Sequence, residues 1–130
     1  MLLYAHHIHY VVTNLDEMVA YLDENFGMKP DFVGINSNGK EARYEIDKTR
    51  MQMVEPLPGS KQEKYLAEHG PGVYHVAWAV EDAEKLGQEL VAKGIKLQQS
   101  KGTTRDLDPV CNIDPASSLG VRFQLVTSPN

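Results

Sequence analysis

Apolar residues along the chain follow two alternating schemes, and the same succession of schemes occurs twice. The stretch His7-Ile8-His9-Tyr10-Val11-Val12 is rich in β-branched and aromatic residues and breaks at the polar pair Thr13-Asn14, which predicts a strand. Leu15, Met18, Val19, Leu22 and Phe26 then recur at helical spacing. Asn14 and Glu17 form a capping-box pattern at the start of that helix, and Gly27 suits a left-handed cap at its end. The second succession opens with His75-Val76-Ala77-Trp78-Ala79-Val80 and breaks at Glu81-Asp82. Ala83, Leu86 and Leu90 recur next, and Gly94 ends the run. Gly27 follows His7 by 20 residues, and Gly94 follows His75 by 19. Three extended segments come after each glycine, at about 32–35, 41–47 and 50–55, and at about 95–99, 110–113 and 121–126.

This internal repeat predicts an α+β chain of two tandem βαβββ modules, forming a curved mixed sheet around a central trough. The modules are expected at about 1–57 and 72–130, joined by a short helical linker within one domain of 130 residues. Ser60 with Glu63 caps the linker helix, and Gly70-Pro71 ends it.

Composition narrows the function classes. With 13 basic and 18 acidic residues the net charge is −5, and no basic stripe is present to hold nucleic acid or an anionic membrane. Cys111 is the only cysteine, so the chain has no internal disulfide, and its place on an expected strand makes it a small core residue. No apolar run approaches a membrane span, and the N-terminal residues carry three histidines and no basic leader, so a cytoplasmic protein is expected.

The chemistry-bearing candidates sit at equivalent places in the repeat. His7 and His75 lie on equivalent strands, and a strand commits each side chain to one face. The last strand of each module contributes Gln52 or Gln124, so His7, Gln52, His75 and Gln124 form a candidate metal set. The alternative for each histidine is a packed, hydrogen-bonded core residue, and for each glutamine a polar surface position. A hairpin with Lys48-Thr49 at its tip would set Glu45 opposite Gln52, making Glu45 a candidate catalytic base; a solvent-facing glutamate is the alternative. His9 shares the face of His7 by parity. Lys101, Arg105 and Arg122 lie near loops and are given no role.

Four segments carry a family resemblance. They are His6-His7-Ile8-His9-Tyr10-Val11-Val12, Met51-Gln52-Met53-Val54-Glu55-Pro56-Leu57, Gly70-Pro71-Gly72-Val73-Tyr74-His75-Val76-Ala77-Trp78, and Asn112-Ile113-Asp114-Pro115 with Gly120-Val121-Arg122-Phe123-Gln124-Leu125. Across nearly its whole length the chain resembles the vicinal oxygen chelate superfamily of glyoxalases, bleomycin resistance proteins and dioxygenases, and is closest to its methylmalonyl-CoA epimerase branch. The resemblance implies paired βαβββ modules, a homodimer, and a divalent metal ion, with Co, Mn, Zn, Ni and Fe all open. It places the metal ligands at His7, Gln52, His75 and Gln124. Gln124 departs from the pattern, because these enzymes carry a glutamate there that ligates the metal and, in the epimerases, is thought to act as a base. An amide oxygen ligates but neither neutralises the ion nor takes a proton. Without a carboxylate the set does not match the two-histidine, one-carboxylate site of non-haem iron oxygenases.

The resulting expectation is a metal-dependent isomerase, epimerase or lyase acting on a small oxygen-rich substrate, an acyl-CoA among the options. A non-catalytic protein that binds or sequesters a small molecule in the same fold is the alternative, motivated by Gln124.

Overall fold

The computed structural model describes residues 1–98 and 110–128, so Lys101, Arg105 and the end of the strand expected at 95–99 lie outside the described residues. The elements follow the order β1 (Tyr4–Val11), α1 (Leu15–Phe26), β2 (Phe32–Asn36), β3 (Gly39–Ile46), β4 (Thr49–Pro56), α2 (Lys61–His69), β5 (Gly72–Val80), α3 (Ala83–Ala92), β6 (Leu97–Gln98), β7 (Val110–Ile113) and β8 (Phe123–Thr127). Strand, helix and three strands thus occur twice, with α2 between, and the α+β class holds.

Two compact units are present: His7–Tyr74, and Met1–His6 together with His75–Asn130. The predicted split at about 1–57 and 72–130 therefore differs at the N-terminus. Met1–His6 joins the later unit because Leu3 donates its N–H to the Ala79 carbonyl at 2.9 Å and the Tyr4 hydroxyl meets Ser128 Oγ at 2.9 Å. The linker helix α2 falls in the His7–Tyr74 unit.

Within the His7–Tyr74 unit, β1 pairs in parallel with β4, β4 antiparallel with β3, and β3 antiparallel with β2. Helix α1 starts at Asn14, whose side chain accepts the Glu17 N–H, and ends at Gly27, whose φ of 66° is left-handed. It packs Leu15 and Leu22 against Val12, Ala42, Tyr44 and Met53, with Tyr10, Met18, Val19, Met28 and Met51 around them. The other unit repeats this plan: β5 pairs in parallel with β8, β8 antiparallel with β7, and β7 with β6. Its core joins Val80, Ala83, Cys111 and Leu125 to Trp78, Leu86, Leu90, Leu97 and Ile113. Burial raises the Cys111 thiol pKa, which keeps that sulfur an inert core atom.

The duplication reaches single hydrogen bonds. The first N–H of α1, on Leu15, donates to Glu55 Oε1 at 3.0 Å, and the first N–H of α3, on Ala83, donates to Thr127 Oγ1 at 3.0 Å. Glu55 and Thr127 each lie three residues beyond a candidate glutamine, so the last strand of each module caps that module's helix. Among the described residues, no helix is long and apolar enough to cross a membrane.

Candidate functional site

Because side chains alternate along a strand, the core clusters define which face remains for chemistry. Tyr10, Val12, Ala42, Tyr44, Met51 and Met53 face α1, which leaves His7, His9, Glu41, Arg43, Gln52 and Val54 on the opposite face. His7, His9, Glu41 and Gln52 are nonetheless buried. In the later unit Trp78, Leu125, Cys111 and Ile113 face α3, which leaves His75, Ala77, Asn112 and Gln124 on the other side.

The registers show how closely the modules correspond. In parallel pairing Gln52 is the partner of His9, two residues after His7. Gln124 is the partner of Ala77, two residues after His75. The unequal His-to-Gln separations in sequence therefore come from the loops, and the strand geometry is the same in both. Each module brings its own histidine and glutamine to one face, as expected.

The hairpin register corrects the expectation for Glu45. Its tip is Asp47-Lys48, with Ile46 opposite Thr49, because Asp47 takes the left-handed φ of 54° that aspartate tolerates. Glu45 consequently pairs with Arg50, and Arg43 is the residue opposite Gln52. Glu45 keeps the parity of Gln52, but it stands at the strand end with its carboxylate on Arg50 Nε.

The carboxylate beside Gln52 is Glu41, which the sequence reading did not single out. Its side chain has no exposure. Oε1 accepts from Asn36 Nδ2 at 2.9 Å, and Oε2 accepts from Arg43 Nε and, at 3.3 Å, from Gln52 Nε2. Asn36 is itself held, since its Oδ1 accepts the Asn38 N–H at 2.9 Å in the β2–β3 turn. That turn depends on Gly39, where a Cβ would stand 2.2 Å from the Glu55 carbonyl oxygen. Burial pushes the Glu41 pKa up, but the Asn36 and Arg43 hydrogen bonds and the Arg43 charge outweigh it, so the net shift is downward. Arg43 also covers the Phe32 ring, with its guanidinium carbon 4.6 Å from the centroid.

His9 completes this face. Burial lowers its pKa from 6.5 to about 4 against the opposing pull of the Glu41 charge, so the imidazole is neutral at pH 7. Its ring lies 5.3 Å from that of Tyr74, which in turn meets Tyr65 of α2 at 5.0 Å.

In the later unit the corresponding positions hold Val110, Asn112 and Ala77 in place of Glu41, Arg43 and His9. Gln124 Oε1 is buried there without a hydrogen-bond partner among the described residues. A buried amide oxygen in that state suits a cation, which would replace the lost water. Each module thus offers an imidazole and an amide on one strand face, His7 with Gln52 and His75 with Gln124, groups of the kinds that can ligate a metal.

A family model for the Glyoxalase/Bleomycin resistance protein/Dioxygenase superfamily matches residues 6–111. No curated protein matches the chain at a significant level. Among solved structures, a methylmalonyl-CoA epimerase in complex with methylmalonyl-CoA and ammonium is similar at a TM-score of 0.84 and 24% identity, over 99% of this chain and 96% of that one. The methylmalonyl-CoA epimerase of Mycobacterium tuberculosis is similar at 0.82 and 24% identity, over 99% and 90%. A selenomethionine form of methylmalonyl-CoA epimerase gives 25% identity over 100% and 98%, with a TM-score of 0.82.

Proposed function

The chain belongs to the Glyoxalase/Bleomycin resistance protein/Dioxygenase superfamily, and on that premise we propose that it is a metal-dependent isomerase, epimerase or lyase acting on a small oxygen-rich substrate. An acyl-CoA of the methylmalonyl-CoA type is the first substrate to try, since solved epimerases with this fold act on it. The reading is carried by the repeated pairing of a buried glutamine with the position two residues after a histidine, on the sheet face turned away from each module's helix. In this reading His7, Gln52, His75 and Gln124 would hold a divalent ion, whose bound form would supply Lewis-acid polarisation of a substrate carbonyl.

Proton abstraction falls to Glu45. It has the parity of Gln52 and its side chain is 43% exposed, whereas Glu41 is enclosed with both oxygens committed. The test is exchange of the substrate α-proton in deuterated water. Metal-loaded protein exchanges the α-proton of methylmalonyl-CoA, chelation abolishes the exchange, and Co or Mn restores it. Glu45→Gln slows it by about 10² to 10⁴-fold. Absence of exchange with methylmalonyl-CoA and other acyl-CoAs removes the epimerase version, and an unaltered rate in Glu45→Gln moves the base elsewhere.

A second reading is a binding or sequestration protein, favoured by Gln124, whose amide takes no proton. Tight retention of a small molecule without turnover supports it. A homodimer in the cytoplasm belongs to the same proposal, and sedimentation measures the assembly.

A further inference from the structure

We infer that Glu41 is a positioning residue that fixes the Gln52 amide with its oxygen turned toward β1, the strand of His7. The inference rests on the proposal that Gln52 is a metal ligand, and it names what makes that glutamine fit for the role. A glutamine side chain ends in an oxygen and an NH2 group of nearly the same shape, and only the oxygen can ligate a cation. Something must therefore choose between the two orientations, or half of the encounters present an N–H to the ion.

Strand β4 lies between β3 and β1. Glu41 on β3 takes a hydrogen bond from Gln52 Nε2 at 3.3 Å. A carboxylate held against Arg43 accepts and has nothing to donate, so only the NH2 end can face it. Geometry then sends Oε1 to the opposite side, toward β1. Glu41 is rigid enough to impose this. It is fully buried, and its other partners, Arg43 and the turn-anchored Asn36, hold it from two further directions. The charge on Glu41 also polarises the amide through its NH2 group, which makes the oxygen a stronger donor to a cation. Carboxylates behind metal ligands act in this way, and their removal weakens metal binding by about 10 to 100-fold.

The experiment has two arms. In metal-free protein, the side-chain amide protons of Gln52 are followed by nitrogen-15 NMR and assigned with Gln52→Ala. In the wild type they exchange with solvent at least tenfold more slowly than those of an exposed glutamine, and in Glu41→Gln this protection is lost. In the second arm, Co(II) is titrated into both proteins. Glu41→Gln binds about 10 to 100-fold more weakly, with shifted visible bands, at a metal-free melting temperature that shows it is folded. Unprotected Gln52 amide protons in the wild type overturn the inference. So does a folded Glu41→Gln with unchanged protection, or with unchanged Co(II) affinity and bands. If Glu41→Gln fails to fold, the wild-type exchange rate decides alone, because it needs no variant. Wild-type protein that takes up no Co(II), Mn(II) or Zn(II) sinks the metal proposal, while the amide protons still report whether Glu41 holds Gln52.

Discussion

The two modules share a backbone plan and a histidine–glutamine pair, yet they surround the pair differently. Both set a histidine two residues ahead of the partner of a buried glutamine, and both cap the helix from the same position of the last strand. The first module then adds His9, Glu41 and Arg43 around Gln52, where the equivalent strand positions of the second hold Ala77, Val110 and Asn112. One glutamine is tethered by a buried carboxylate that is itself paired with Arg43. The other keeps a buried oxygen with no hydrogen bond among the described residues. A duplicated fold has thus kept its histidine–glutamine pair while the groups behind the two glutamines differ. The first module supplies order and charge, and the second supplies small neutral side chains.

The most severe way to break the comparison is to remove a donor from either half. His7→Ala and His75→Ala are each expected to abolish metal-dependent α-proton exchange, and a fall in one alone would show that the halves are unequal as ligand sources. Next is Gln52→Glu against Gln124→Glu. In the first module the new carboxylate stands against Glu41, and losing that hydrogen bond for a like charge costs on the order of 2 kcal/mol at pH 7, read from urea unfolding. In the second it meets no carboxylate at the position of Glu41, leaves stability nearly unchanged and tightens Co(II) binding. Equal losses in stability would erase the distinction.

Acid titration of metal-free protein sharpens the contrast between His9 and Ala77. His9 has a folded pKa of about 4, below its ordinary 6.5, so the unfolded chain binds the proton first. Stability is whole above pH 6.5 and falls as pH drops toward 4, by about 3 kcal/mol in full. His9→Gln flattens that slope, and a slope that survives the substitution assigns it to other groups. Glu41, with its lowered pKa, contributes stability that is lost at still more acid pH, as its carboxylate protonates. The smallest effect is at the helix caps. Thr127→Val removes the acceptor for the first N–H of α3 and costs about 1 kcal/mol, seen as a modest fall in melting temperature. Glu55→Gln keeps an oxygen acceptor and costs less.

Much of this arrangement was readable from residue order. The repeat, the caps at Asn14 and Ser60, the left-handed Gly27 and the shared face of His7 and His9 all follow from local spacing, and local spacing is what the backbone obeys at these positions. The environment of Gln52 was not readable, because it depends on a hairpin register. A tip at Lys48-Thr49 places Glu45 beside Gln52, whereas the tip at Asp47-Lys48 places Arg43 there and brings Glu41 onto the diagonal. The signal was present in the turn chemistry. Aspartate accepts a left-handed φ, while β-branched Thr49 prefers the strand it occupies. The allegiance of Met1–His6 to the later unit rests on contacts across more than 70 residues of sequence, such as Leu3 to Ala79, which no local pattern encodes.

That allegiance bears on how the protein is made. His7–Tyr74 is a continuous stretch and can close on itself while the ribosome is still working downstream. The other unit cannot, since Met1–His6 precedes that stretch and its remaining strands follow it. Met1–His6 therefore waits until Ala79 and Ser128 have been made before it finds its neighbours. Removal of Met1–His6 should accordingly disturb the unit it shares with His75–Asn130 and leave His7–Tyr74 largely intact.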